Sequence, residues 1–242
     1  MPPEVLVVLP TYEEAPNIDR VVRRVRATGA DVLVVDDASP DGTGRCADEL
    51  ASLDPGVRVV HRPRREGLGR AYATGFAVAL GTGATFVCEM DADLSHDPAA
   101  LAGLVAEVSA GADVAIGSRY VPGGATPGWS AVRRLMSRSA NRYARWALGL
   151  PVRDATSGFR AYRAEALRLL DPATCQAAGY AFQVEMTYRA ARSGLRIVEV
   201  PISFVEREAG VSKMGPAIAL EAALLITRWG LARLGRRLRS RT

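Results

Sequence analysis

The sequence predicts an α/β fold, a mostly parallel sheet flanked by helices, and three observations lead there. Apolar runs of strand length alternate with helical stretches through the first half of the 242 residues. The runs are continuously apolar, as in Val5-Leu6-Val7-Val8-Leu9, which marks strands covered on both faces. Acids stand at or just past the ends of these runs, in Glu13-Glu14, Asp36-Asp37 and Asp91-Ala92-Asp93. In an open parallel sheet the carboxyl ends of the strands form the ligand crevice.

Residues 5–9 form the first strand, which stops at the loop Pro10-Thr11-Tyr12-Glu13-Glu14. Pro16 opens a helix to about residue 28, with Ile18, Val21, Val22 and Val25 on one face, and Gly29 ends it. A second buried strand covers 31–35. Ser39-Pro40-Asp41-Gly42 is a turn, and a short helix runs from it to about residue 53. A third strand at 57–60 leads through a basic loop over 62–69 to a helix of small residues over 71–80. Phe86, Val87 and Cys88 lie in the next strand, which reaches residue 90. Asp97 and Pro98 supply the N-cap and first position of a helix over 98–110, and 113–116 form a further strand. A glycine-rich loop, Gly117-Ser118-Arg119-Tyr120-Val121-Pro122-Gly123-Gly124, precedes an arginine-rich helix over 129–148. The segment 154–160 reads as a turn rich in side-chain hydrogen bonds. Residues 180–192 read as a helix mixing inward and outward positions, and 195–204 as a last strand. Pro216 starts a terminal helix whose leucines and Trp229 precede an arginine cluster, the composition of an interfacial helix or of one docked on a partner. The chain thus divides into a main body, 1–215, and a basic amphipathic helix, 216–242.

A hydrophobic content of 48% permits a sizeable core. Cys46, Cys88 and Cys175 lack metal-ligand spacing and read as small core residues in a reducing compartment. Met1-Pro2-Pro3-Glu4 runs straight into a strand without the pattern of a signal peptide. No uncharged apolar run approaches the ~20 residues of a membrane span. The net charge of +5 is unevenly placed: 128–153 holds no acid, and six arginines with no acid follow Glu221. That asymmetry fits a partner carrying phosphate, either nucleic acid or membrane lipid. The basic helix lacks base-stacking aromatics interleaved with its arginines beyond Tyr143 and Trp146, and paired aspartates repel a polyanion in the absence of a cation, so nucleic acid is disfavoured. No GxGxxG follows the first strand and no GxxxxGK[ST] occurs, which disfavours a dinucleotide fold or a P-loop NTPase.

The chemistry centres on Asp91 and Asp93. Two carboxylates with one residue between them are costly to hold together unless a cation lies beside them. Hard oxygen ligands suit Mg²⁺ or Mn²⁺, ions that also bind substrate phosphates. Tyr12 is placed to stack on a nucleobase, or is an ordinary half-buried loop aromatic; Asp37 is placed to accept hydrogen bonds from base or ribose. Arg133, Ser137 and Asn141 recur at i, i+4 and i+8 and share a helix face, where a guanidinium and a hydroxyl suit phosphate oxygens. Arg134, Arg138 and Arg142 read as a solvated basic face. Arg207 and Lys213 flank Gly210 in a loop and would clamp a diphosphate, or pair with Glu206 and Glu208.

Seven segments in order now carry a resemblance: Pro10 to Glu14, Val35 to Thr43, Met90 to His96, Gly117 to Tyr120, Arg133 through Ser137-Arg138, Thr156-Ser157-Gly158-Phe159-Arg160, and Arg207 through Ser212-Lys213. The chain resembles the inverting glycosyltransferases of sequence family two, which have the GT-A nucleotide-sugar fold, and within them the dolichol- or polyprenol-phosphate mannosyltransferases. The resemblance covers roughly 4–215, so that 1–215 is expected to be the catalytic domain. It implies GDP-mannose as donor, Mg²⁺ or Mn²⁺ as cofactor and a polyprenyl monophosphate as acceptor. Pro10, Tyr12, Glu14, Val35 and Asp37 would hold the guanosine end. Asp91, Ala92 and Asp93 would hold metal and diphosphate, with Arg207 and Lys213 closing over the diphosphate. Arg119, Arg133 and Ser137 would receive the lipid phosphate. Family members often carry Gln as a further metal ligand where this chain has Ser95, whose hydroxyl would ligate directly or through water. Some members carry C-terminal transmembrane helices, absent here, so anchoring at the cytoplasmic face of the membrane would fall to the terminal helix or to a separate membrane subunit. The same scaffold in other members uses UDP-sugars or extends saccharides.

Overall fold

The computed structural model describes residues 3–177, 179, 181–206 and 216–239, the side chains of the last helix over 220–235. Arg207 and Lys213 lie outside the described residues. Among those described, seven strands form one sheet: β1 (Val5–Thr11), β2 (Asp31–Asp36), β3 (Val57–His61), β4 (Phe86–Glu89), β5 (Val114–Ser118), β6 (Arg160–Arg163) and β7 (Ile197–Pro201). Their order is β3-β2-β1-β4-β6-β5-β7. β6 alone among them runs against its neighbours; every other pairing is parallel. The helices are α1 (Ile18–Arg26), α2 (Thr43–Leu53), α3 (Leu68–Gly81), α4 (Leu101–Ser109), α5 (Ala131–Leu148), α6 (Ala164–Leu170), α7 (Ala181–Arg192) and α8 (Pro216–Arg239).

The apolar runs divide between the two faces at a period of two. Val7 and Leu9 of β1 join Ile18, Val21 and Val25 of α1, Leu50 of α2 and Leu104 of α4. Leu6 and Val8 join Tyr72 and Phe76 of α3, Phe182 of α7 and Leu148 of α5. The expected sandwich of helices on both faces is therefore present. Gly75 shows how close α3 lies: a Cβ there would come 2.4 Å from Val8 Cγ1 and 2.9 Å from Val35 Cγ2.

Three stretches differ from the sequence reading. β6 and α6 were not expected, because Arg160-Ala161-Tyr162-Arg163 is short and its ends are charged. A four-residue strand carries too little periodicity to register. α7 does not mix inward and outward positions; Ala181 through Tyr188 are all buried, since the helix packs against α3, α6 and α8. A helix covered on several sides has no polar stripe to reveal its period. β7 stops at Pro201, after which Ser203 and Phe204 make isolated bridges to Ala125 and His96. Asp97 does cap as expected, its carboxylate accepting from Ala99 N at 3.1 Å, but Pro98–Ala100 forms a 3₁₀ turn before α4.

α8 lies against the body. Ile226 is buried, Tyr143 and Thr227 share a hydrogen bond of 2.6 Å, and Trp229 stacks on Tyr188. Its opposite side exposes Leu220, Leu224, Leu231 and Leu234. Among the described residues no helix is long and apolar enough to cross a membrane.

Candidate active site

The carboxyl ends of β1, β2 and β4 meet at one edge of the sheet, and each is followed by a non-glycine residue in left-handed conformation: Glu13 at φ 55°, Ala38 at φ 59° and Leu94 at φ 62°. Such backbone costs ~1–3 kcal/mol per residue and persists where the surroundings over-determine it. Here they do. Glu13 N donates to Ser39 Oγ, Glu14 N to Thr43 Oγ1 at 2.9 Å and Ala15 N to Asp41 Oδ2, stitching the β1 loop to the β2 loop. Pro10 and Val35 are buried side by side in register, and Glu14 is buried, its carboxylate accepting from Asn17 Nδ2 at 2.9 Å. Asp37 is buried as well. It accepts from Arg62 and from the backbone N–H groups of Glu66 and Gly67, the latter at 3.0 Å, so it ties down the basic loop. From that loop Arg65 lies over the Tyr12 ring, 3.8 Å from its centre.

Asp91 and Asp93 follow β4 as expected. Asp93 is buried, and its Oδ1 accepts from Ser95 N at 3.1 Å and Ser95 Oγ at 2.5 Å. Asp91 is the more open of the two. Its Oδ1 accepts from Tyr72 Oη at 3.1 Å, and His96 Nε2 stands 3.5 Å from its Oδ2. Ala92, between them, is buried. Among the described residues no group of three or more His, Cys, Asp or Glu gathers as a metal cluster. Two carboxylates and a nearby hydroxyl are nonetheless a donor set that fits a hard divalent cation, which commonly keeps waters and substrate phosphates in its remaining positions. Ser95 stands next to that pair through Asp93.

Across the edge lies the second set of expected residues. Arg119 makes a two-pronged pair with Asp154, Nε and Nη2 donating at 2.7 Å each, and Nη2 also donates to Thr156 Oγ1 at 2.8 Å. Burial works against both charges, but their attraction outweighs it: the Arg119 pKa is raised and that of Asp154 lowered. Arg133 pairs with Glu206 and lies over Trp129 at 4.1 Å. Ser137 accepts from Tyr120 Oη at 2.6 Å, and Asn141 is buried, donating to Thr156 Oγ1 and accepting from Ala155 N. Arg133, Ser137 and Asn141 follow one another at i, i+4 and i+8 along α5, and of their contacts Asn141 reaches the 154–159 turn, Ser137 reaches Tyr120 and Arg133 reaches Glu206.

The two sets are joined by Gly158. A Cβ there would come 3.2 Å from Asp91 Oδ1, so the turn that holds Arg119 packs directly against the aspartate. Beneath it a buried network supports the edge. Arg160 donates to the carbonyls of Ser157 and Ala155 and lies 3.3 Å from Glu89, which Tyr162 also contacts. Burial raises the Glu89 pKa to about 7, with Arg160 and Tyr162 pulling it partly back. The sequence assigns no site role to Asp154, Tyr120, Trp129, Arg62, Arg65 or the Glu89–Arg160 pair, and it offers Glu206 as a partner for Arg207 and Lys213, not for Arg133. Their partners lie up to 73 residues away, and no local spacing announces such pairs.

This edge and sheet define a glycosyltransferase of the GT-A fold, and the chain belongs to glycosyl transferase family 2, which matches residues 6–170. It is 50% identical over 239 residues to the undecaprenyl-phosphate mannosyltransferase of Micrococcus luteus, covering 98% of each chain. It is 48% identical over 229 residues to the polyprenol monophosphomannose synthase of Mycolicibacterium smegmatis, covering 93% of this chain and 86% of that one. In fold it is similar to a mannosyltransferase from Pyrobaculum calidifontis in complex with GDP-Man and Mn²⁺. The TM-score is 0.60 at 21% identity, over 98% of this chain and 65% of that one.

Proposed function

We propose that this enzyme transfers mannose from GDP-mannose to a polyprenyl monophosphate, with inversion, giving polyprenyl phosphate β-mannose. The observation that carries the reading is the packing of Gly158 on Asp91. In this reading the metal-suited carboxylates stand on one side of the turn that carries Gly158, and Arg119, with Arg133 and Ser137 of α5, serves the other. One side offers a place for a diphosphate and the other a place for a phosphate. The names of the two curated relatives, each a mannosyl transfer to a polyprenyl carrier, point the same way.

In this reading Pro10, Tyr12, Glu14, Val35 and Asp37 form the guanosine end of the donor site. Asp37 acts partly by fixing the 62–67 loop, and Arg65 closes over Tyr12. Asp91, Ala92 and Asp93 hold the diphosphate segment, Ser95 orients Asp93, and Arg207 and Lys213 close from the loop beyond Glu206. A Mg²⁺ or Mn²⁺ ion held by Asp91 and Asp93 supplies neutralisation of the charge that develops on departing GDP. Arg133 and Ser137 take the acceptor phosphate in exchange for Glu206, and Arg119, its plane fixed by Asp154, orients it in line. A phosphate oxygen is already anionic near neutral pH, so the attack needs no dedicated base. In this reading neither histidine acts on the acceptor: His61 pairs with Asp48, and His96, buried between Phe159 and Phe204, faces Asp91 at 3.5 Å. Residues 1–215 carry the catalysis. The segment 216–242, which carries α8, attaches the enzyme to the cytoplasmic face of the membrane, alone or with a membrane subunit.

The test is incubation of the protein with labelled GDP-mannose, polyprenyl phosphate and Mg²⁺ or Mn²⁺, followed by lipid extraction. Label should enter the lipid phase and vanish with EDTA. Label transfer from UDP-glucose but not from GDP-mannose would overturn the donor assignment.

A further inference from the structure

A cavity of about 270 Å³ opens on α5, lined by Tyr120, Arg138, Asn141, Arg142, Arg145 and Arg153. Four guanidinium groups border it, and among the described residues none of the four forms an ion pair. The nearby acids are already committed. Asp154 is taken by Arg119, and Glu199 accepts from the backbone N–H groups of Arg153 and Asp154 at 2.8 and 2.9 Å. Glu199 keeps its own charge, so four guanidinium groups stand against one carboxylate that no cation pairs, and the local balance is positive. The cavity is also held in shape. Asn141, fully occupied by Ser137 O, Thr156 and Ala155, forms its floor, and the Arg138 guanidinium lies 5.7 Å from the Tyr120 ring centre.

Arg138 and Arg142 lie on the solvated basic face that the sequence predicts, and Arg145 and Arg153 are exposed as well; the structure adds that the four border one concavity. We infer that this cavity is a phosphate-binding site for the headgroup of an anionic phospholipid, distinct from the acceptor site. Planar guanidinium forks converging from a helix and from the following turn match phosphate oxygens. The lipid source is favoured by what borders the basic stripe on the same helix: Val132, Leu135 and Trp146, all exposed. Apolar side chains next to arginines suit the boundary between headgroups and acyl chains. Free phosphate would leave them in water, and RNA would want aromatics interleaved with the cations. The site lies beside Ser137, which Tyr120 contacts, so a bound headgroup would set the bilayer plane at the height where an acceptor phosphate enters.

The experiment compares the full-length chain with Arg142→Ala/Arg145→Ala and with Arg134→Ala. Arg134 lies on the same exposed helix and removes a positive charge without lining the cavity. Binding is read by co-sedimentation with phosphatidylcholine vesicles, with and without phosphatidylglycerol, at ~0.15 M salt, where diffuse attraction is screened beyond about 8 Å. The double variant should lose about tenfold or more in affinity for the phosphatidylglycerol vesicles, as expected for removed charge-assisted hydrogen bonds. Arg134→Ala should lose at most a few-fold, and glycerol 3-phosphate should compete with the vesicles. GDP binding by the double variant reports its fold and should stay at the level of the parent. It is also independent of the acceptor reading, so a failure here is distinguishable from a failure there. If Arg134→Ala costs as much as the double change, the attraction is diffuse and the site does not exist. If inorganic phosphate alone saturates the protein and vesicles do not bind, the lipid source is overturned. Retention of a single-stranded RNA in place of vesicles overturns it equally.

Discussion

The two sides of the active edge are built in different ways. On the donor side, carboxylates at strand ends are held largely by backbone N–H groups and hydroxyls: Asp37 by the N–H groups of Glu66 and Gly67 together with the buried Arg62, Asp93 by Ser95 two residues on. On the acceptor side, cations are held by side chains distant in sequence: Arg119 by Asp154 and Arg133 by Glu206. Negative charge set by local backbone is stiff and ready for a cation. The exposed Arg133–Glu206 pair can be exchanged, because an arriving phosphate is itself a partner for arginine, while the buried Arg119–Asp154 pair stays in place. The donor side therefore reads as a preformed seat and the acceptor side as one that trades partners.

Four measurements break or sharpen that contrast, the largest effect first. Asp93→Ala should lower transfer by about a thousandfold or more, since metal-borne charge stabilisation is worth several kcal/mol, while the circular dichroism melt stays cooperative. Full activity of this variant would remove the donor side's claim to be the metal seat. Asp154→Ala should destabilise the fold by ~3–5 kcal/mol, because it leaves Arg119 buried and unpaired. Its sign with pH follows from the lowered pKa of Asp154. The pair contributes stability above the ordinary carboxylate pKa, near 4, and that stability is lost as pH falls through the folded value. Asp154→Asn should accordingly be less stable than the parent at neutral pH and show a flatter acid limb in denaturant titrations between about pH 5 and 2.

Third, Arg133→Ala should raise the apparent KM for acceptor by about ten- to a hundredfold, losing charge-assisted hydrogen bonds of ~1.5–3 kcal/mol each. Calorimetry without lipid should find GDP-mannose binding nearly unchanged. Arg133→Lys should rescue only partly, because an ammonium cannot make a two-pronged contact, and Glu206→Gln should lower the acceptor KM by removing the resident competitor. If Arg133→Ala weakens GDP-mannose binding instead, the division of the edge is wrong. The smallest effect belongs to Ser95→Ala, which removes one hydrogen bond to Asp93, ~0.5–1.5 kcal/mol. Metal titration followed by Mn²⁺ paramagnetic relaxation should then shift by only about threefold to tenfold. A larger loss would make Ser95 a direct ligand.

The same contrast explains what could be read in the sequence. The strands of the donor half, the Asp91–Asp93 pair and the i, i+4, i+8 face of Arg133, Ser137 and Asn141 all rest on local spacing, and each is where that spacing put it. The partners of Arg119 and Arg133 rest on pairs 35 and 73 residues apart. Glu206 looked like a partner for its own loop, not for α5. β6 escaped because four residues with charged ends carry no period. The left-handed residues Glu13, Ala38 and Leu94 escaped because nothing in an ordinary side chain announces strain that its surroundings impose.

β6 has a consequence for the order in which the protein is assembled. It lies between β4 and β5, so β5 makes no hydrogen bonds to β4 and reaches the sheet only through a strand made some 40 residues later. During synthesis β1, β2 and β3 pair through local parallel units (Leu6 with Asp31, Val32 with Val57), β4 then joins β1 from further along the chain, and domains are built from the N-terminal end first. The aspartates are then in place on a four-stranded half-sheet while the turn holding Arg119 is still unmade. The pairings β1 to β4 (Val5 with Phe86) and β4 to β6 (Phe86 with Arg163) both join segments distant in sequence, and the arrival of β6 brings Gly158 to Asp91. The nascent chain thus holds its cation seat before it has any place for an acceptor.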